Sequence, residues 1–335
     1  MSESISIAIT EQSQTGEARR AALALADRLG FQETERGKIG IVVMEVANNL
    51  LYHARGGVIL LRAIEQESTL GIEILSLDRG PGMVDVAECL RDGFSSAGTS
   101  GNGLGAIRRL SAVFELYSCA GKGTALLAQA WSKPPSARPE TSLEIGVVCL
   151  PKQGETVSGD AWAYRASANR SLFLVADGLG HGPAAAIASS EAVRIFQEHS
   201  HRSPAEIVAV AHGALRSTRG AALAITEIDF ERSSVRFAGV GNIAGSIWSP
   251  TGHRNLVSHN GTVGHEVRKI QEFTYPWYGN ELSIVHSDGL SAHWRLDRYP
   301  GLSLKHPSLI AGVLYRDFSR ERDDATVLVV KGAVR

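Results

Sequence analysis

The sequence has no excess of positive charge and no long apolar run. Its 34 Lys and Arg residues are balanced by 35 Asp and Glu residues, which gives a formal net charge of −1. Binding to nucleic acid or to an anionic membrane usually needs a basic face. No apolar run approaches the roughly 20 residues of a membrane-spanning helix, and the N-terminus lacks a basic-then-apolar signal pattern. We therefore expect no nucleic-acid partner and no membrane partner.

Cysteine is also scarce. Cys89, Cys119 and Cys149 are odd in number and widely spaced, with neither the spacing of a zinc site nor that of a redox pair. A reducing cytoplasm is the compartment that fits this usage. The chain has 335 residues, of which 44% are hydrophobic and 21% charged. That length and composition predict two globular domains, each with its own core.

The second half of the sequence places acidic residues at the edges of apolar, strand-like segments. Asp177 follows the apolar stretch 172–176 and opens a loop with three glycines among its next five residues. Asp160, Asp288 and Asp323 occupy similar edge positions. A single Asp-Gly pair is more often an acidic turn, but a folded sheet could gather four such acids. Mg²⁺ and Mn²⁺ prefer oxygen ligands, so this pattern favours a metal site.

Residues 143–335 resemble the metal-dependent protein phosphatases of the bacterial SpoIIE/RsbX-like branch. The motifs that carry the resemblance are Gly-Asp at Asp160, Asp-Gly-x-Gly-His-Gly at Asp177, Asp-Gly at Asp288 and Asp-Asp-x-Thr at Asp323. The resemblance implies an α-β-β-α sandwich and two Mn²⁺ or Mg²⁺ ions that activate a water against a phosphoserine. Asp177 would bridge the ions, and the remaining ligands would be Asp160, the carbonyl of Gly178, Asp288 and Asp323.

Three details of this resemblance concern single residues. Asp323 is preferred over Asp324 because the acid of the family lies three residues before the threonine. His181 would order the loop or assist proton transfer. No arginine is evident in 150–159 to bind the phosphate, and Lys152 is the candidate in its place.

The first half of the sequence combines a helix that carries polar residues with glycine-rich turns. Glu45 and Asn49 are four residues apart in the predicted helix 37–54, so they share one face, either in a core network or towards a ligand. A strand predicted at 70–77 ends at Asp78. The glycine-rich stretch 98–105 precedes a helix predicted at 106–113; such a stretch can bind phosphates through its backbone N–H groups, although flexible turns have the same composition.

This ordered set resembles the GHKL ATP-binding fold, and in particular the serine kinases of bacterial partner switching, of the RsbT-like and anti-sigma-factor types. The resemblance implies ATP with Mg²⁺: Asn49 would hold Mg²⁺, Glu45 would orient or deprotonate the acceptor serine, and Asp78 would bind the adenine amino group. The other implied nucleotide-binding residues are Gly80, Gly82, Gly101, Gly103, Leu104, Gly105 and Thr124. Many relatives of the broader fold have a lysine where this chain has Tyr52, and Arg55 and Lys122 are the candidates for the missing cation.

The two halves are joined by the proline-bearing stretch 132–142, which predicts a short, semi-rigid spacer between domains at 1–131 and 143–335. In the second domain, two helices are predicted among many strands, one starting at Pro183 and one at a capping box that begins at Ser203. We therefore expect a two-domain α+β protein, a GHKL (Bergerat) α/β sandwich followed by an α-β-β-α phosphatase sandwich.

The combined resemblance implies a bifunctional regulator that phosphorylates and dephosphorylates a serine of a STAS-domain partner. That partner would be an anti-sigma antagonist or a stressosome scaffold protein. Two alternatives stay open: a phosphatase whose GHKL domain only senses ATP, and an adaptor that works by binding. The oligomeric state is open as well, with a homodimer among the alternatives.

Overall fold

The computed structural model describes residues 4–66, 68–90, 103–134, 143–167, 169–320 and 322–332. The chain divides into two compact units: residues 2–138 with 304–316 form one, and Met1, 139–303 and 317–335 form the other. The structure thus differs from the predicted division in one segment, because residues 304–316 belong to the N-terminal unit. Gly101 and most of the predicted linker lie outside the described residues.

The N-terminal unit is a five-stranded antiparallel sheet whose two longest helices pack on one face. Its strands are β1 (Ile5–Ile9), β2 (Gly57–Gln66), β3 (Thr69–Leu77), β4 (Val113–Cys119) and β5 (Gly123–Trp131), and its helices include α1 (Gln12–Arg28), α2 (Glu33–Ala54), α3 (Val86–Cys89) and α4 (Gly103–Leu110). The strands follow the order β1-β2-β3-β5-β4 in the sheet.

The core of this unit forms because α2 has an apolar stripe at helical spacing. Ile39, Val42, Val43 and Val46 are all buried, and they belong to the same cluster as inward-facing side chains of the sheet. The sequence prediction was wrong at the end of the helix predicted at 106–113. That helix ends at Leu110, and Val113 starts a strand whose partner is β5, a pairing that local periodicity does not reveal.

The C-terminal unit is a sandwich of two sheets. Its strands are β6 (Glu144–Leu150), β7 (Asp160–Ala166), β8 (Arg170–Gly178), β9 (Ala221–Asp229), β10 (Ser234–Val240), β11 (Ala244–Ser249), β12 (Gly252–Leu256), β13 (Ser258–His259), β14 (Phe273–Pro276), β15 (Leu282–His286) and β16 (Ala325–Lys331). The first sheet has the order β13-β10-β9-β8-β7 with β14 paired to β10, and the second has the order β12-β11-β15-β16-β6.

Two apolar layers hold this sandwich together. Phe173, Phe237 and Val285 belong to the cluster between the sheets. Helices α5 (Pro183–Glu198) and α6 (Pro204–Ala214) pack on the other face of the first sheet, and α6 starts at the predicted capping box. The predicted fold classes of both halves are confirmed. Helix α7 (Pro307–Phe318), most of which belongs to the N-terminal unit, was not predicted from the sequence.

No helix in the described part of the chain is both long and apolar enough to cross a membrane.

Candidate functional site

Strand pairing brings together the first two acidic motifs of the C-terminal unit. Asp160 is the first residue of β7, and Asp177 lies one residue before the end of β8. The two strands are antiparallel, with Asp160 directly opposite Asp177 in the register. Directly opposed residues of such a pair have Cβ atoms about 4.5–5.5 Å apart. Two carboxylates are therefore held side by side at one end of the sheet.

Hydrogen bonds connect Asp160 to the two later motifs. Its Oδ2 accepts a hydrogen bond from Ser287 Oγ at 2.6 Å, and that hydroxyl accepts one from the backbone N–H of Thr326 at 2.9 Å. Ser287 immediately precedes Asp288, and Thr326 belongs to the final motif. The other oxygen of Asp160, Oδ1, is buried and has no hydrogen-bond partner. A buried carboxylate oxygen without a partner is costly unless a ligand satisfies it.

The carboxyl groups of this cluster are crowded and poorly solvated. Burial, followed by the negative charges of Asp160 and Asp288, raises the pKa of Asp177 to about 9. Burial raises the pKa of Asp160 to about 7, with smaller contributions from Asp324 and Asp288. The pKa of Asp288 is raised by burial and then by Asp323. Like charges held together in this way are stabilised by a cation, and oxygen donors suit Mg²⁺ or Mn²⁺.

The two neighbouring acids of the last motif have different environments. Asp324 is only 2% exposed, and its two oxygens accept hydrogen bonds from the backbone N–H groups of Lys152 at 2.8 Å and Gly159 at 2.9 Å. Asp323 is partly exposed, and one of its oxygens accepts from the N–H of Asp324. Asp324 therefore connects two chain segments, whereas Asp323 remains accessible from solvent.

The acidic side chains of this site could bind a metal ion as pairs rather than as groups of three or more. Across the described ranges, no three His, Cys, Asp or Glu side chains are grouped so that they could hold one ion. Mg²⁺ sites commonly use one or two carboxylates and keep several water ligands. The opposed pair of Asp160 and Asp177, with Asp288 and Asp323 acting on its charge, fits this mode of binding.

The loop after Asp177 is flanked by residues that the sequence analysis did not identify. His181 Nδ1 lies 2.7 Å from Glu155 Oε1, which ties the loop to the segment before β7. A Cβ placed on Gly180 would be 3.1 Å from a guanidinium nitrogen of Arg219, which lies two residues before β9. Arg219 is exposed. The pairing of β8 with β9 brings this arginine to the loop, so no local sequence signal could have revealed it.

The N-terminal unit brings Glu45 and Asn49 of α2 beside the first residue of α4. A Cβ on Gly103 would lie 2.8 Å from Glu45 Oε2 and 3.6 Å from Asn49 Oδ1. Any side chain at this position would crowd the two polar groups. The Nδ2 atom of Asn49 is buried and has no hydrogen-bond partner. The polar face of α2 is therefore incompletely satisfied by protein atoms, as expected of a ligand site rather than a core network.

A second group of predicted nucleotide-binding residues lies where β3 ends and β5 begins. Asp78 is 8% exposed, and its Oδ1 accepts hydrogen bonds from the backbone N–H of Gly80 at 2.8 Å and of Thr124 at 3.1 Å. The Asp78 N–H in turn donates to the Thr124 carbonyl at 3.0 Å. Burial raises the pKa of Asp78, and the two N–H bonds and the charge of Arg316 offset part of the rise. Both bonds to the carboxylate use Oδ1.

The remaining residues predicted for the nucleotide site differ in backbone conformation and in burial. Gly82 has a φ of 69°, a backbone conformation that favours glycine. Gly105 is buried in α4, and Leu104 packs against the apolar core. The ring of Tyr52 is 60% exposed, and its hydroxyl lies 3.4 Å from Gln12 Oε1.

Comparison with known proteins identifies both halves. Residues 9–129 match the family described as the histidine kinase-like ATPase domain, and residues 167–332 match that of stage II sporulation protein E, SpoIIE. The chain is 34% identical over 114 residues to the serine/threonine-protein kinase RsbT of Bacillus subtilis, which covers 34% of this chain and 86% of RsbT. It is 27% identical over 143 residues to the phosphoserine phosphatase RsbX of the same organism, covering 42% of this chain and 72% of RsbX.

A solved structure is similar to more than half of this chain. It comes from work on the bacterial stressosome as a modular system adapted to control secondary messenger signalling. It covers 57% of this chain and 100% of its own, with 27% identity and a TM-score of 0.53.

The folds and the family matches thus define a domain of the histidine kinase-like ATPase type joined to a domain of the SpoIIE phosphatase type. Through its N-terminal half the chain belongs to the family of the serine/threonine-protein kinase RsbT, and its C-terminal half is similar to SpoIIE and to the phosphoserine phosphatase RsbX. The predicted fusion of these two families is confirmed.

Proposed function

We propose that the C-terminal unit is a metal-dependent phosphoserine phosphatase. The observation that carries this proposal is the Asp160–Asp177 pair, opposed in the strand register and with one buried carboxylate oxygen unpartnered. Asp160, Asp177, Asp288, Asp323 and the Gly178 carbonyl would hold the ions. When bound, two Mn²⁺ or Mg²⁺ ions would supply an activated water and neutralise phosphate charge.

The residues around the pair have separate roles in this proposal. Ser287 fixes one oxygen of Asp160, so that the other is directed to the ions. Glu155 orients the ring of His181 and thereby orders the loop after Asp177. Arg219 is the candidate to bind the substrate phosphate, since a guanidinium pairs well with phosphate oxygens and this one lies beside the loop. We prefer it to Lys152 as the phosphate-binding residue because its guanidinium lies beside Gly180 of this loop.

We also propose that the N-terminal unit binds Mg²⁺ with ATP and phosphorylates a protein serine. Support comes from the similarity to RsbT and from the unsatisfied polar face formed by Glu45 and Asn49 beside Gly103. Asn49 would hold Mg²⁺, and Asp78 would accept from the adenine amino group through Oδ2. Glu45 would orient or deprotonate the acceptor hydroxyl.

The common substrate in this proposal is one serine of a STAS-domain protein, either an anti-sigma antagonist or a stressosome scaffold. The named activities of RsbT and RsbX, a serine/threonine kinase and a phosphoserine phosphatase, support this view. Fusion in one chain raises the effective concentration of each site for a partner released by the other. The second candidate function is a phosphatase whose N-terminal unit only senses ATP. It is favoured by Tyr52, which stands where many relatives of the broader fold have lysine.

Phosphosite mapping of a STAS partner tests the proposal. Mg-ATP should add a phosphate to one serine, Mn²⁺ without ATP should remove it, and the two conditions together should consume ATP without net change. If the wild-type protein binds Mg-ATP but transfers no phosphate, the kinase proposal is refuted and the N-terminal unit is an ATP sensor. Two different serines for the two reactions would refute the shared substrate.

A further inference from the structure

The outer face of the N-terminal sheet, opposite α1 and α2, is buried although it carries a charged row. Arg62, Glu73 and Gln129 are direct partners across β2, β3 and β5, and each is 7% exposed or less. Arg62 Nη2 lies 2.7 Å from Glu73 Oε1, and Gln129 Nε2 donates to Glu73 Oε2 at 2.9 Å. On the same face, Leu75 and Leu77 of β3 are also buried.

Helix α7 covers this face along the line of β3. Ser308 Oγ donates to Glu73 Oε2 at 2.7 Å. A Cβ on Gly312 would lie 2.8 Å from a methyl carbon of Leu75 and 2.9 Å from one of Leu77, so glycine permits the close approach of the helix.

Arg316 continues this line to the end of the strand, where its Nη1 donates to the Asp78 carbonyl at 2.9 Å. Ser308, Gly312 and Arg316 are four residues apart and therefore share one helix face. Four residues advance about 6 Å along a helix, and two residues advance about 6.8 Å along a strand. Every fourth residue of α7 can therefore contact every second residue of β3.

The contact at the end of this line is reciprocal. While Arg316 donates to the carbonyl of Asp78, the guanidinium of Arg79 donates to the carbonyl of Arg316. Arg316 is 6% exposed. The backbone of Asp78 is thus held by α7, and its carboxylate is held by Gly80 and Thr124. A buried guanidinium bonded to a backbone carbonyl restrains the position of that carbonyl, because leaving either group unpaired is costly.

We propose that Arg316 is a positioning residue of the nucleotide site, and that α7 is a part of the nucleotide-binding domain supplied by the phosphatase half of the sequence. This inference rests on the proposed role of Asp78 in binding the adenine amino group. Arg316 does not touch the nucleotide in this proposal. It fixes the main chain from which the Asp78 carboxylate projects, and so it determines how well that carboxylate meets the base.

Base selectivity separates this role from a purely structural one. ATP has a 6-amino donor for the Asp78 carboxylate, whereas ITP has a carbonyl oxygen at that position. A site whose buried acceptor is well placed should prefer ATP by roughly tenfold or more. If Arg316 positions the acceptor, its loss should weaken ATP binding more than ITP binding. A general loss of stability would weaken both by the same factor.

The experiment measures Kd values of Mg-ATP and Mg-ITP by calorimetry on full-length protein, with Tm as a check on folding. Arg316→Met should reduce the ATP/ITP preference at least threefold, and Arg316→Lys, which keeps a positively charged donor group, should give an intermediate value. The matched control is Ser308→Ala on the same helix face. It removes a bond to Glu73 and should lower Tm without changing the preference. Arg79→Met provides a second positioning variant if Arg316→Met does not fold.

The outcomes are distinguishable. An unchanged preference in the Arg316 and Arg79 variants, with wild type selective for ATP, would overturn the positioning role alone. Equal weakening of both nucleotides in Arg316→Met and Ser308→Ala would also overturn it, since that pattern indicates stability only. A wild-type protein that binds neither nucleotide would instead refute the proposed ATP site.

Discussion

Asp323 and Asp324 are adjacent, yet the structure predicts that the same substitution affects a different property at each position. Asp324→Asn keeps one carbonyl oxygen but places an NH₂ group against one of the two backbone N–H donors, those of Lys152 and Gly159. Asp323→Asn leaves those bonds intact and removes a charge from the partly exposed acid. We expect the first change to reduce stability and the second to reduce phosphatase activity.

The magnitude for Asp324→Asn follows from its hydrogen bonds and burial. Loss of one hydrogen bond to a charged acceptor, with a buried N–H left unpaired, costs about 1.5–3 kcal/mol. Burial raises the pKa of Asp324, so removal of the charge recovers part of its desolvation cost. A net loss of about 1–3 kcal/mol remains after this offset. Each 1 kcal/mol lowers Tm by about 2–4 °C in a domain of 150–250 residues, so a fall of about 2–12 °C is expected.

The assay pairs thermal unfolding with Mn²⁺-dependent release of phosphate from a phosphoserine protein. Asp323→Asn should keep a Tm within about 1 °C of wild type, as surface substitutions usually do, while turnover falls by orders of magnitude. Asp324→Asn should have the lower Tm and keep measurable turnover below its unfolding transition. The reverse pattern, with Asp323→Asn unstable and Asp324→Asn stable but inactive, would refute this division of roles.

Four further predictions concern the proposed sites. Asp177→Asn should abolish phosphatase turnover, a loss of several kcal/mol in transition-state stabilisation, with Mg-ATP affinity unchanged; normal Mn²⁺-dependent turnover would contradict the metal assignment. Glu45→Gln should leave the ATP Kd within about twofold but slow phosphoryl transfer by about 10²–10⁴. Asp78→Asn should show the opposite pattern, with weaker ATP binding as its main defect. Arg219→Ala should lower kcat/KM for the phosphoprotein by roughly tenfold or more through a lost phosphate pair, while Arg216→Ala, an exposed neighbour, serves as the control; equal effects of the two would remove Arg219 from the phosphate site.

Much of the fold could be predicted locally because its elements have strong periodic patterns. The apolar stripe of α2 and the capping box before α6 identify these helices without tertiary information. The acidic and glycine motifs can also be recognised in the sequence, because each occupies a strand end or a tight loop. Their ligands are inferred from the resemblance to known families, and the assignment of ions and nucleotide to single residues stays a prediction.

The missed elements depend on partners distant in the chain. Strand β4 is stabilised by its pairing with β5, and α7 by burial on a sheet formed from residues more than 170 positions earlier. A short apolar segment such as 307–318 gives no local sign of the surface that it will cover.

The sequence by itself determined the families, the order of the acidic motifs and the polar face of α2, because these depend on residue type and short spacing. Only the tertiary structure decided that Asp160 faces Asp177, that Arg219 lies beside the loop after Asp177, and that Arg316 holds the main chain of Asp78. These contacts arise from strand register and from the packing of a helix on a distant sheet. Both are set by the total free energy of the folded chain rather than by local preference.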